Sequence, residues 1–273
     1  MPLSAFGLAL AAAFVHALWN LLLARARDPE AAAAIALVTG VVVFAPVAAL
    51  TWELEAEAWP YLVATSLLEL LYFALLGAAY RRAELSVVYP LARGAAPVLV
   101  LAVGVAALGA GTTGAQAAGV CLVGLGVLLV RGLGRPAGSA GLLFGLAIGC
   151  CIAAYTLVDD EGIRYANAVT YLELSLVLPA VAYAAGIVLF KGGAALRAEL
   201  RPASLAAGIS AFLAYTLVLA ALARADAAPV AAVRETSVVI ATVGAALLLR
   251  ERVGPGRLAG AALVAAGVAL LGF

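Results

Sequence analysis

Charge in this chain gathers at the ends of long apolar runs. Ten such runs, each about the length that a helix needs to cross a ~30 Å hydrocarbon core, follow one another almost without pause: 3–24, 31–51, 59–80, 84–108, 114–131, 139–158, 166–190, 203–223, 227–249 and 255–272. The breaks are short clusters of charge or turn residues, among them 25–30, 81–83, 159–164, 191–202 and 224–226. No break is long enough for a soluble domain. Strands are a poor fit, because the runs are too long and lack two-residue alternation. The expectation is an all-α polytopic membrane protein, a single membrane domain over 1–273 with ten transmembrane helices. Composition agrees: only 11% of the 273 residues are charged, against about a quarter in soluble domains.

Arginine and lysine in short loops set orientation. With the loop after the first helix inside, Arg25, Arg27, Arg81, Arg82, Arg131, Arg135, Lys191, Arg197, Arg201, Arg250, Arg252 and Arg257 fall inside, and only Arg164 and Arg224 outside. Twelve against two places both termini on the outer side. The first run has no basic residue before it and no clear cleavage site, so it is expected to be retained as a span. A net charge of +1 and the lack of a basic patch argue against a nucleic-acid partner. Cys121, Cys150 and Cys151 lie in apolar runs and form no disulfide framework. There is no zinc spacing, phosphate loop or GxSxG motif, so no metal or other cofactor is expected.

Two stretches match about 142 residues apart. Tyr80-Arg81-Arg82-Ala83-Glu84 recurs as Leu222-Ala223-Arg224-Ala225-Asp226, and Ala118-Gly119 with Gly124 and Gly126 recurs as Ala259-Gly260 with Ala265 and Gly267. Ala17-Leu18-Trp19-Asn20 echoes Ala153-Ala154-Tyr155-Thr156 more weakly. The unit is five helices, so the second copy, about 138–273, must run inverted relative to the first, about 1–133. Inverted repeats are a transporter architecture, with a shared site near the midplane.

Ten helices, a five-plus-five repeat and the Leu247-Leu248-Leu249-Arg250-Glu251-Arg252 end of the ninth helix, followed by Gly260 and Gly267 in the last, resemble the EamA-type transporters of the drug/metabolite transporter superfamily. The resemblance spans nearly the whole chain. It implies alternating-access movement of a small metabolite across a bacterial inner membrane, and no enzyme activity. It does not imply a substrate, because the family spans amino acids, drugs, sugars and other metabolites. The first-half turn Leu108-Gly109-Ala110-Gly111 lacks the Glu-Arg of its counterpart. Family members are often drawn with cytoplasmic termini, opposite to the charge count here.

Ionisable residues inside spans are functional candidates. Glu69, Arg93, Glu173, Arg234 and Glu235 qualify, with His16 as a titratable sixth. Two arginines can neutralise two of the three carboxylates; the third must carry a proton, meet a cationic ligand or pair elsewhere. Arg93 is framed by Pro90 and Pro97 on one helical face, where freed carbonyls are tolerated only against protein or a wet cavity. His16, Trp19 and Asn20 share a face. So do Glu69 and Tyr72, and Tyr89 and Arg93. Tyr155 stands at the repeat position of Trp19. Together these residues are expected to form a substrate site with aromatic walls and a few polar tips. The two arginines suggest an anionic or zwitterionic small molecule. The plainer alternatives are static salt bridges between helices, a hydrogen-bonded packing histidine and aromatic anchors at the interface. Asp159, Asp160 and Glu161 read as a solvated loop. Gly141, Gly145 and Gly149 form a stripe for close packing within the chain, a homodimer being the alternative. The competing functions are a non-transporting membrane sensor and an intramembrane enzyme using His16 and Glu69.

Overall fold

The computed structural model describes residues 1–23, 26–83, 85–131, 138–240 and 254–272. Eleven helices are assigned among them: α1 Leu3–Leu23, α2 Pro29–Leu50, α3 Trp59–Arg82, α4 Leu85–Leu108, α5 Gly114–Arg131, α6 Ser139–Gly162, α7 Ala168–Lys191, α8 Gly193–Glu199, α9 Pro202–Leu222, α10 Ala227–Arg234 and α11 Pro255–Gly272. Two short 3₁₀ turns, Ala56–Ala58 and Ile163–Tyr165, complete the set. Seven of these helices, α1, α2, α3, α4, α6, α7 and α9, are long and apolar enough to cross a membrane. The apolar α5 and α11 are shorter. The chain is an integral membrane protein built of helices.

Its surface reads as bilayer-facing. Large side chains such as Val42, Leu143, Val181 and Leu189 point outward, while the interior is rich in alanine and glycine. Small residues let helix backbones approach closely where lipid supplies no hydrophobic drive for association. A reciprocal case is the α5–α11 seam. A Cβ on Gly126 would lie 2.7 Å from the Gly260 carbonyl oxygen, and one on Gly260 would lie 2.7 Å from that of Gly126. Gly119 and Gly267 stand in the same mutual relation. The Gly141/Gly145/Gly149 stripe faces Val87, Leu91 and Ala92 of α4, so it packs within the chain.

Three boundaries differ from the sequence reading. Helix α6 continues to Gly162, which draws Asp159, Asp160 and Glu161 into helix. The expected loop 191–202 holds the short α8. The ninth run breaks at Glu235, a turn between α10 and helical residues 236–240; the Glu235 amide bonds to the Ala232 carbonyl at 3.1 Å and the Val238 amide to the Glu235 carbonyl at 3.0 Å. These three-residue steps tighten the helix at the position of its two charges. The Leu247–Arg252 motif lies outside the described residues. By contrast α4 runs through both Pro90 and Pro97 without interruption.

One end of the bundle is charged. Lys191 pairs with Asp28 at 2.8 Å and with Glu30 at 2.5 Å, and Arg81 pairs with Glu30 at 2.5 Å. The buried Glu199 of α8 accepts the backbone amides of Arg27 and Asp28, each at 3.0 Å. Three loops expected on one side thus meet. At the other end the loop 51–58 joins 163–167: the Glu55 amide donates to the Tyr165 carbonyl at 2.8 Å, and Leu54 bridges Ala166.

Candidate functional site

A cavity of about 100 Å³ lies at the centre of the bundle. Helices α1, α2, α3 and α4 contribute His16, Trp19, Ala33, Gly40, Glu69, Phe73 and Arg93; α6, α7, α9 and α10 contribute Tyr155, Leu172, Gly208, Phe212, Tyr215 and Arg234. Both halves of the sequence therefore build its wall. The α2–α9 side is small and apolar. The α4–α10 side carries the positive charge.

The arginines differ in what holds them. Arg93 donates from Nη1 to Glu235 Oε1 at 3.1 Å. Its Nη2 meets His16 Nε2, and its guanidinium stands 5.6 Å from the Tyr89 ring centroid. Trp19 Nε1 reaches the same His16 Nε2 at 3.4 Å. Because Arg93 and Trp19 are both donors, that ring nitrogen acts as acceptor. Asn20 closes this cluster, donating to the His16 carbonyl at 2.8 Å and accepting from Tyr89 at 3.3 Å. Among the described residues Arg234 has an ion pair with the same Glu235 Oε1, at 3.6 Å from Nε, and its buried Nε and Nη2 make no hydrogen bond. Arg93 and Glu235 are 142 residues apart, the interval at which the sequence is expected to repeat.

Behind the cavity-lining Tyr215 a second cluster surrounds Asp159. It is wholly buried and accepts from Thr65 at 2.6 Å, Tyr171 at 3.1 Å and Tyr215 at 2.5 Å. Glu69 stands one turn beyond Thr65 on α3 and lines the cavity. Tyr155 stands one turn before Asp159 on α6, edge-on to Tyr72 at 6.2 Å and to Tyr215 at 6.0 Å. Three tyrosines thus run from the Glu69 side across to the Asp159 cluster.

Residues 139–273 match the family model of the EamA-like transporter family. That half of the chain belongs to it. The family is one of transporters rather than enzymes. A solved structure titled "Crystal structure of protein" shares the fold, with a TM-score of 0.80 over 98% of this chain and 97% of that chain at 17% identity. No curated protein matches the chain.

Of the residues expected at the site of this EamA-like chain, His16, Trp19, Glu69, Tyr72, Arg93, Tyr155 and Arg234 line the cavity. Asn20, Tyr89 and Glu235 stand behind, holding His16 and the arginines. Glu173 on α7 does not line it, and its Oε2 has no hydrogen-bond partner. Pro90 and Pro97 are not part of the wall either. Asp159 corrects the reading of a solvated acidic loop: once α6 extends past 158, it falls four residues after Tyr155, on the face that turns inward. Tyr215 drew no notice in an uncharged run, yet the 142-residue interval sets it opposite Phe73, and both line the cavity.

Proposed function

We propose that the protein is a secondary active transporter that moves a small metabolite by alternating access, with its substrate in the central cavity. The two gates would be inverted five-helix repeats, about 1–133 and about 138–273. The observation that carries this reading is the cavity walled from both halves, with Arg93 of the first half joined to Glu235 of the second at one side of it, at the interval of the proposed repeat. Crosswise contacts support the repeat. Gly119 and Gly126 stand 141 residues from Gly260 and Gly267, and it is Gly119 that meets Gly267 and Gly126 that meets Gly260. A two-fold axis in the membrane plane brings equivalent positions together in this crossed order. Helix pairs follow the same rule: α1 packs on α9 as α6 packs on α3, and α2 packs on α7, its own equivalent. An open cavity beside Arg93 also weighs against a solid, non-transporting bundle.

The charged end would face the cytoplasm of a bacterial inner membrane, leaving both termini outside. With no nucleotide-binding motif, the drive would be a proton, an ion or exchange. The partners would be the bilayer and an anionic or zwitterionic small molecule. Reconstitution tests this directly. Folded protein in proteoliposomes should take up or release some member of a broad panel of labelled metabolites, saturably and above protein-free vesicles. Inert vesicles across such a panel would overturn the reading.

A further inference from the structure

We propose that the substrate is a small monocarboxylate with an apolar body, and that Arg234, not Arg93, receives its carboxylate. This inference rests on the transporter reading and narrows its substrate class. Arg93 is largely committed: Glu235, His16 and the Tyr89 ring engage its guanidinium, and of its nitrogens Nε alone is buried without a hydrogen-bond partner among the described residues. Arg234 is not. It is 3% exposed, lines the cavity, and keeps Nε and Nη2 without a hydrogen-bond partner. Those two nitrogens form one edge of the planar fork, the edge that matches both oxygens of a carboxylate. Buried donors left unmet are costly, so the site is incomplete as it stands. Glu235 does not complete it: its Oε1 accepts from Arg93 and lies 3.6 Å from Arg234 Nε, and its Oε2 makes no hydrogen bond among the described residues. Asp159 does not either, being engaged by three hydroxyl donors.

Charge and shape set the rest of the ligand. Among the described residues of the cavity wall, only Arg93 and Arg234 are cationic, and Arg234 keeps two adjacent nitrogens without a hydrogen-bond partner where Arg93 keeps Nε alone. Glu69 on the wall offers a second negative charge no partner. One anionic group is therefore accommodated, and a dianionic phosphate is disfavoured. Trp19, Phe73, Phe212, Leu172 and Leu176 supply an apolar wall for the remainder of the molecule.

The test uses the full chain in detergent micelles and reads ligand affinity from saturable thermal stabilisation. The probes share one body: phenylacetate, phenylacetamide and phenyl phosphate, with butyrate, hexanoate and indole-3-acetate as further carboxylates. Phenylacetate should bind at least ~10-fold more tightly than phenylacetamide, the share of a charge-assisted pair, and more tightly than phenyl phosphate. Arg234→Gln should weaken phenylacetate by ~10–100-fold, and Arg234→Lys, which keeps the charge without the fork, should fall between. Equal binding of acid and amide, tighter binding of phenyl phosphate, unaltered phenylacetate binding in Arg234→Gln, or no stabilisation by any carboxylate would each overturn the proposal. Should Arg234→Gln not fold, the acid-to-amide ratio of the native chain and Arg234→Lys decide. The two readings fail separately: a chain that transports but does not prefer acids sinks this inference alone, while one that prefers acids but moves nothing sinks the transporter reading.

Discussion

The charged end of the bundle and its centre use the same chemistry to opposite effect. At the end, Arg81 and Lys191 face Asp28 and Glu30, two cations for two carboxylates. Arg81 is largely exposed and Lys191 and Asp28 are partly so, and the buried Glu30 has two cations, so that losing one leaves it the other. At the centre, Arg93 and Arg234 share Glu235, a single carboxylate wholly removed from solvent. A balanced, wet network ties loop ends together and is dispensable bond by bond. A dry network of two cations around one carboxylate is neither: each member is costly to remove, and the donors left over are what a ligand can satisfy.

Substitutions sharpen this contrast. Arg93→Ala leaves Glu235 buried with one poorly placed partner, and should lower unfolding free energy by ~3–5 kcal/mol in denaturant melts of micellar protein. A loss no larger than that of an exposed pair would break the comparison. Tyr215→Phe removes one of three donors from Asp159 and should cost ~1–3 kcal/mol in the same melts, with Thr65→Val alike. At the charged end, Lys191→Ala should cost only ~0–1 kcal/mol, because Lys191 and Asp28 are partly exposed and the buried Glu30 keeps Arg81. The smallest effect is that of pH on the same end. Burial tends to raise the Asp28 carboxyl, but the Lys191 ammonium and the Glu30 and Ala31 amides outweigh it and hold Asp28 below the usual range. Its contribution is therefore present above the unfolded-state value and is lost as pH falls through the lower folded one. Protection of the amides of residues 26–31, taken as the exchange rate relative to the unstructured rate at the same pH, should fall on acidification below about pH 4 in native protein and change less in Lys191→Ala.

Much of the fold is legible in the sequence because the bilayer imposes a length on every apolar run. The seven long helices begin and end within a few residues of the runs. What escaped follows from local chemistry. Three successive acids after residue 158 look like a loop to any composition argument, yet the α6 hydrogen bonds continue, and only tertiary hydroxyls from α3, α7 and α9 make the burial of Asp159 tolerable. The break at Glu235 was equally hidden, since no proline or glycine marks it. Within the cavity, charge and aromatic spacing pointed to Arg93, Arg234, Glu69 and Tyr155. They could not say that Asn20, Tyr89 and Glu235 stand one layer back, because that depends on which helix lies across from them.

The α5–α11 seam constrains how this protein can change over evolutionary time. Where most tight contacts set one side chain against another, a bulkier residue on one helix can be accommodated by a smaller one opposite. At Gly126 and Gly260 the opposing atom is a main-chain carbonyl oxygen, and every amino acid carries one. No second substitution on the facing helix can make room, so an enlargement there has to be absorbed by moving a whole helix or not at all.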